Sequence, residues 1–220
     1  TGFGATEADV AAVLRGLEYP PDPKQWDDDD RRRLARDVRA QTKPIVLVAN
    51  KVDLAPPENV ERLRETDKLV IPTTADSELA LRNGAAAGVV DYDPGDETFA
   101  VVGDVSDAQA AGLERIREVT AEYGGTGVQQ SIDTAVYDLL DHVTAFPVQN
   151  ESKWTDGTGN VLPDALLLPR GSTPRHLAFE IHTDIGEGYL HAVDARAGRR
   201  ISDDYELDEG DVVKIVSTAN

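Results

Sequence analysis

The side chains of the run Asn50-Lys51-Val52-Asp53 are suited to reading a nucleobase. The apolar run at residues 44–49 directly before them predicts a buried strand of a parallel sheet, and ligands of open α/β sheets bind beyond the carboxyl ends of such strands. An ionised Asp53 can accept two parallel hydrogen bonds, and guanine offers a ring N–H beside an exocyclic amino group, a pair of donors that adenine lacks. Asn50 can bond a base edge and tie neighbouring loops together, and the stem of Lys51 can cover the face of the base. The run therefore predicts guanine recognition, and the alternative is a polar loop that caps a strand.

A second loop, Thr73-Thr74-Ala75-Asp76, follows the next predicted strand at residues 68–72. In the Ras-like GTPases a Ser-Ala or Thr-Ala pair stands at this point, where a backbone N–H approaches the guanine carbonyl. Thr74 and Ala75 resemble that pair, although the same run is also an ordinary helix cap. The candidate nucleotide-binding residues are therefore Asn50, Lys51, Asp53, Thr74 and Ala75.

Motifs that handle phosphates are absent from the sequence. No Gly-x-x-x-x-Gly-Lys-Ser/Thr loop occurs, and no Asp-x-x-Gly loop precedes Asn50. The run Gly124-Gly125-Thr126-Gly127 has no lysine, so we interpret it as a connection between helices. Phosphoryl transfer relies on a phosphate cradle, its lysine and Mg²⁺. We therefore expect no catalytic residue and no metal ligand in this sequence, no GTP hydrolysis by it alone, and Mg²⁺ only together with a missing N-terminal half.

The predicted elements fall into three segments. Residues 1–44 are predicted to be helical, with one helix beginning after Thr6 and another near Trp26. Residues 45–144 alternate strands and helices, which indicates an open α/β sheet with a helical extension. Strands are predicted there at 44–49 and 68–72, helices at 56–64, 77–87, 106–122 and 128–143, and residues 88–105 are not assigned.

Residues 145–220 indicate an α+β domain, with strands at 145–148, 165–168, 189–193 and 211–216 and a helix at 173–182. A core-facing apolar stripe is predicted on the helix at 128–143: Ile132, Val136, Leu139, Leu140 and Val143.

The chain of 220 residues is strongly acidic, with a formal net charge of -19. It has no cysteine, which excludes disulfides, and no apolar run approaches the ~20 residues of a transmembrane helix. An acidic surface repels itself in dilute buffer but not in molar salt, so the source is interpreted either as salt-loving or as the ordinary cytosol. Because methionine is absent, Thr1 is interpreted as the start of an excised piece, and the lack of a signal peptide favours the cytoplasm.

The arginine-rich run at 31–39 either contacts RNA or forms a solvated face paired with nearby acids.

The order of these segments resembles the Obg-related, YchF-type GTPases, in particular their archaeal branch. The most specific part is the C-terminal segment, which resembles a TGS domain. The residues that carry this likeness are Leu167-Leu168-Pro169-Arg170-Gly171-Ser172-Thr173-Pro174, Leu177-Ala178, Ile181-His182-Thr183-Asp184-Ile185-Gly186 and Glu209-Gly210-Asp211-Val212-Val213.

The resemblance implies an α/β partial P-loop GTPase domain followed by an α+β, ubiquitin-like β-grasp domain. Residues 1–44 would be a helical segment of the GTPase domain, 45–144 its C-terminal half with a helical extension, and 145–220 the TGS domain. The implied ligand is GTP or GDP, and the relatives are linked to ribosomes and translation. The TGS domain implies RNA or ribosome contact, with candidate phosphate contacts at Arg170, Arg175, Arg196, Arg199 and Arg200. The alternative is that these arginines pair with local carboxylates, and His182 is interpreted as a structural residue rather than a base.

Overall fold

The computed structural model describes residues 5–16 and 18–219. By its internal contacts the chain divides into two compact units, Thr1–Ala135 and Val136–Asn220. The sequence-predicted limit between residues 144 and 145 falls later, inside a strand of the second unit at His142–Pro147. Each unit is described by itself below.

The first unit begins with two helices whose first turns are capped by side chains. Thr6 and Asp9 form reciprocal hydrogen bonds at the first helix, as the sequence predicts. At the second helix Asp27 and Asp30 form a capping box. Leu17, predicted to extend the apolar face of the first helix, lies outside the described residues. The elements of this unit are α1 Glu7–Gly16, a 3₁₀ turn Pro23–Gln25, α2 Asp28–Thr42, β1 Val46–Asn50, α3 Glu58–Arg64, β2 Leu69–Thr73, α4 Ala75–Ala86, β3 Val90–Asp91, β4 Ala100–Val101, α5 Asp107–Tyr123 and α6 Val128–Asp133.

The arginine-rich helix α2 has a solvated face. Asp28, Asp29 and Asp37 pair with Arg31, Arg32 and Arg33 within the same helix. No described residue of this helix is buried. Arg31, Arg32 and Arg33 are thus paired as the solvated-face alternative expects, whereas Arg36 and Arg39 form no ion pair among the described residues.

Strands β1 and β2 are parallel and in register, with Val46 opposite Leu69 and Asn50 opposite Thr73. The prediction that the first strand is buried is wrong, because Val48 is 46% exposed and Leu69 on its partner is 49% exposed. Within the described residues β1 has β2 as its one neighbouring strand, so the pair lacks the full cover that a central parallel strand has.

The core of the first unit lies under the segment that the sequence leaves unassigned. Residues 88–105 form a short antiparallel hairpin of β3 and β4. Its side chains Val90, Tyr92 and Phe99 are buried together with Leu81 of α4. The hairpin therefore joins α4 to α5, whose Leu113 and Ile116 pack against the same cluster.

The helix predicted at 128–143 is confirmed as far as Leu139 and is wrong at its end. α6 ends at Asp133, a π-helical turn follows at Thr134–Leu139, and Asp141 has a φ of 50° that ends the helical path. Strand β5 then begins at His142. The predicted stripe is not one core face, because Ile132 and Leu140 are each 52% exposed and Val143 is fully buried in a strand.

The second unit is a β-grasp fold, in which a mixed sheet curves around a helix. Its elements are β5 His142–Pro147, β6 Leu166–Pro169, α7 Pro174–Ile181, α8 Thr183–Glu187, β7 Tyr189–Asp194, β8 Arg199–Ile201 and β9 Asp211–Ser217. The strand order is β6-β5-β9-β7-β8, and β5 runs parallel to β9 while the other pairs are antiparallel. This confirms the predicted fold class and its four strands and main helix, and it adds the short β8 and α8. The core between sheet and helix is built from Val143, Ala145, Leu168, Leu177, Ala178, Tyr189, Ala192, Ile201, Leu207 and Val213.

None of the described helices is both long and apolar enough to cross a membrane.

Candidate nucleobase-binding site

The two candidate loops meet at one edge of the β1–β2 pair. Because the strands are parallel, their carboxyl ends lie side by side, and Asn50 stands opposite Thr73 in the register. The loop after β1 is a tight turn, in which the N–H groups of Leu54 and Ala55 donate to the carbonyl of Lys51 at 3.1 and 3.0 Å. The loop after β2 leads directly into α4, which begins at Ala75. The structure thus brings Asn50-Lys51-Val52-Asp53 and Thr74-Ala75 together, as the sequence predicts.

Asn50 ties the two loops to each other. Its Oδ1 accepts from the N–H of Lys51 at 2.9 Å and from the N–H of Ala75 at 3.1 Å. Lys51 has a φ of 72°, and a non-glycine residue in this left-handed conformation is held there by its surroundings. The loop-joining role predicted for Asn50 is therefore seen in the geometry. The N–H of Ala75, however, donates to Asn50 Oδ1, whereas the predicted arrangement has a backbone N–H of this loop approaching the guanine carbonyl.

Asp53 is held by the second loop. The hydroxyl of Thr74 donates to Asp53 Oδ1 at 2.9 Å and lies 2.9 Å from the hydroxyl of Ser77. Thr74 is 1% exposed, whereas Asp53 is half-buried. A carboxylate has about four acceptor positions, so one bond from Thr74 leaves capacity for two donors of a bound base.

The edge is open to a planar ligand. Asn50, Lys51 and Ala75 are exposed, and Asp53 lies between them and the buried Thr74. The carboxylate supplies acceptors, the Asn50 amide supplies a donor, and the Lys51 stem supplies apolar cover. The arrangement can therefore read a base that presents two adjacent donors and an acceptor.

Behind these loops lies a buried polar cluster that the sequence analysis missed. Glu78, in the first turn of α4, is 4% exposed and accepts from Tyr92 Oη at 2.6 Å, Thr126 Oγ1 at 2.5 Å and Arg82 Nε at 2.5 Å. Burial acts to raise the pKa of Glu78, but the hydrogen bonds from Thr126, Tyr92 and Arg82 outweigh it and lower the pKa below its usual value. Glu78 and Arg82 are four residues apart on α4, but Tyr92 and Thr126 are 14 and 48 positions from Glu78, so the sequence gives no local signal that these four side chains meet.

The five candidate arginines of the second unit are exposed and do not share one environment. Arg170 pairs with Asp141 at 2.7 Å, Arg175 lies over the ring of Tyr189, and Arg196 lies over the ring of Trp154 and donates to the carbonyl of Gly210 at 3.0 Å. Among the described residues, Arg199 and Arg200 on β8 form no ion pair. The local-pairing alternative thus holds for Arg170. The other four candidates form no ion pair among the described residues, and of these Arg175 and Arg196 lie over aromatic rings while Arg199 and Arg200 lie on β8.

His182 has a structural position. It ends α7 and caps α8, where its Nδ1 accepts from the N–H of Asp184 at 3.1 Å. In the part of the chain that the structure describes, no group of three or more His, Cys, Asp or Glu side chains is placed to hold a metal ion.

Comparison with known proteins gives matches along the chain. Residues 48–150 match the family model described as Obg-like GTPase YGR210-like, G4 motif-containing domain, and residues 158–217 match the TGS domain model. An uncharacterized GTP-binding protein of Methanocaldococcus jannaschii is 39% identical over 222 residues, covering 100% of this chain and 56% of that protein. An uncharacterized GTP-binding protein of Schizosaccharomyces pombe is 28% identical over 190 residues, covering 79% of this chain and 45% of its own length. The chain therefore spans about half the length of the curated relatives it matches.

A solved structure is also similar. The crystal structure of a GTP binding protein from Pyrococcus horikoshii superposes with a TM-score of 0.72 at 40% identity, covering 99% of this chain and 58% of that one.

Proposed function

Because this chain belongs to the Obg-like GTPases and joins their G4 motif-containing domain to a TGS domain, we propose that it forms the base-recognising half of a guanine-nucleotide site. The single observation that carries the proposal is the set of hydrogen bonds that joins the two loops at the edge of the β1–β2 pair. Asn50 joins the two loops, and Thr74 holds the carboxylate of Asp53 beside them. The relatives from M. jannaschii and S. pombe are named as GTP-binding proteins, which supports the same ligand here.

In this proposal Asp53 accepts the ring N–H and the exocyclic amino group of guanine. Asn50 bonds the base edge, Lys51 covers the base face, and the start of α4 at Ala75 lies near the base carbonyl. The chain has no phosphate-binding loop, so GTP hydrolysis and Mg²⁺ binding belong to a longer, cytoplasmic polypeptide that contains this sequence. That polypeptide acts as a nucleotide-dependent switch in translation.

The test is calorimetric titration of the complete polypeptide that contains this sequence with GDP. Asp53→Asn removes the charge and one of the two acceptors, so we expect GDP affinity to fall roughly 30- to 150-fold, which corresponds to about 2–3 kcal/mol. Asp91→Asn is the matched control, because Asp91 is an exposed acid on β3, outside the two loops. Unchanged GDP affinity in Asp53→Asn would refute guanine recognition by this loop.

A second candidate function is an RNA- or ribosome-binding adaptor that acts through the TGS domain. It is favoured by the exposed Arg199 and Arg200, which form no ion pair among the described residues. In filter binding to ribosomes over a salt series, Arg199→Gln with Arg200→Gln is expected to weaken binding and to reduce the salt slope by about 2. Arg170→Gln, which removes an arginine already paired with Asp141, is the control. Absence of ribosome binding at every salt concentration would exclude this function.

A further inference from the structure

The glycine-rich turn between α5 and α6 lies against the base-reading edge. Gly124 ends α5 with a φ of 77°, and Gly127 begins the next helix with a φ of 75°. A Cβ at Gly127 would lie 1.9 Å from the carbonyl oxygen of Pro72 on β2, a distance that no side chain can occupy. Glycine is therefore required for the turn to approach the end of β2 this closely.

Within this turn Thr126 makes two contacts in opposite directions. Its carbonyl accepts from the N–H of Thr74 at 2.9 Å, and its hydroxyl donates to Glu78 Oε2 at 2.5 Å. Thr126 is 3% exposed, so water does not compete for either bond. The residue therefore links the loop after β2 to the first turn of α4.

The carboxylate that receives the Thr126 hydroxyl is itself fixed. Tyr92 from the β3–β4 hairpin and Arg82 from the next turn of α4 donate to Glu78. Because a buried carboxylate is costly unless its acceptors are filled, the cluster favours one arrangement of the turn. Glu78 therefore holds the Thr126 hydroxyl in one position.

The same contacts continue to the base-reading carboxylate. Thr74, whose N–H is held by Thr126, donates its hydroxyl to Asp53 Oδ1 at 2.9 Å. We infer that Thr126 is a positioning residue that sets nucleobase selectivity by fixing the Asp53 carboxylate through Thr74. The inference rests on the proposed guanine site and names a determinant of its selectivity.

Loss of the Thr126 hydroxyl leaves Glu78 with one donor fewer and loosens the turn against Thr74. The Asp53 carboxylate then loses its fixed orientation, and the bonds that depend on orientation are those to the ring N–H and exocyclic amino group of guanine. Inosine diphosphate lacks the exocyclic amino group, so its affinity depends less on the angle of the carboxylate. The ratio of GDP affinity to inosine diphosphate affinity therefore reports the positioning directly.

The experiment measures both nucleotides by calorimetry on the complete polypeptide, as wild type and as Thr126→Val, which keeps the shape and the backbone carbonyl. We expect GDP affinity to fall about 10-fold and inosine diphosphate affinity to change less than about 2-fold, the size expected for one hydrogen bond to a charged group. Thr126→Ser, which keeps the hydroxyl, is expected to restore the wild-type ratio. Thr120→Val is the matched control, because Thr120 is 4% exposed on α5 and its hydroxyl donates to the backbone carbonyl of Arg117, outside the cluster.

The outcomes separate this inference from the proposed function. A wild-type protein that binds neither nucleotide, or binds both equally, refutes the guanine site itself. A wild type that prefers GDP, with an unchanged ratio in Thr126→Val, overturns only the role of Thr126. If Thr126→Val does not fold, Thr126→Ala removes the same hydroxyl and keeps the backbone carbonyl, and an unchanged ratio in that variant overturns the inference.

Discussion

Asp53 and Thr74 lie on different loops, yet one hydrogen bond joins their side chains behind the exposed edge. The chemistry of the candidate site is thereby divided between residues that face solvent and residues that hold them. Asn50 is exposed and Asp53 is half-buried, whereas Thr74, Glu78 and Thr126 are buried behind them. Mutations of Glu78 and Thr126 are therefore informative about the site even though both side chains are buried.

The pH dependence of stability follows from Glu78. Its pKa in the folded state is lowered from the ordinary value of 4.5, so its ionised form stabilises the fold at pH above that value, and this contribution is lost as the pH falls through the lowered pKa. We expect Glu78→Gln to lower the free energy of unfolding by about 2 kcal/mol at pH 7. The uncharged amide has a single acceptor oxygen for the three donors that bind the Glu78 carboxylate. The difference between variant and wild type should shrink below pH 4.5.

Urea denaturation at a series of pH values measures this difference. Glu61→Gln is the control, because Glu61 is 67% exposed and its pair with Arg64 lies at the surface. A difference that stays constant from pH 7 to pH 3 would contradict the assignment of a lowered pKa to Glu78.

Residue types alone predicted the positions of Asn50, Asp53 and Thr74 but not those of Glu78 and Thr126. Asn50, Asp53 and Thr74 follow strands, and the physical reason for their positions is visible in the sequence because parallel strands end at one edge. Glu78 and Thr126 are 48 positions apart, and a glutamate in the first turn of a helix is ordinarily a solvated residue. Only the folded chain shows that this one is buried and that the glycine-rich turn lies over it.

At the scale of elements, β5 shows where local patterns stop being sufficient. The apolar positions up to Val143 fit a helical period, but Val143 and Ala145 are both fully buried in a strand between β6 and β9. Tertiary pairing decides the conformation here, because a short apolar run fits a buried strand or a helix equally well. The short β8 and α8 were missed for a related reason, since elements of three and five residues carry little periodicity.

The position of β5 predicts how the second unit can be isolated. A fragment 145–220 lacks Val143 and Thr144, and with them the hydrogen bond from the Thr144 N–H to Glu209 at 2.7 Å. We expect it to have a free energy of unfolding about 3 kcal/mol lower than that of a fragment 136–220, from lost apolar burial and one lost bond to a charged group.

Urea denaturation of the two fragments checks this, and a fragment 141–220, which keeps all of β5, is the control. Equal stability of 145–220 and 136–220 would show that the first half of β5 is dispensable to the sheet.

At the scale of the whole molecule, the predicted resemblance to Obg-related GTPases with a TGS domain is confirmed by two family matches in the predicted order. The resemblance supplied the β-grasp, which the strand patterns alone indicated only as an α+β domain. The predictions of a salt-loving source and of a role in translation stay predictions. The chain as a whole has a net charge of -19. Strand β8 is locally basic, because Arg199 and Arg200 are consecutive residues in it.

The sequence contains two tryptophans, and they fall in different units. Trp26 donates its indole N–H to the carbonyl of Pro20 and lies 5.5 Å from the ring of Tyr19, whereas Trp154 donates to the carbonyl of Ala195 beneath Arg196. Each indole is thus held in a defined and different environment. Intrinsic fluorescence therefore carries one emission signal for each unit, and replacing either tryptophan with phenylalanine isolates the signal of the other without any attached dye.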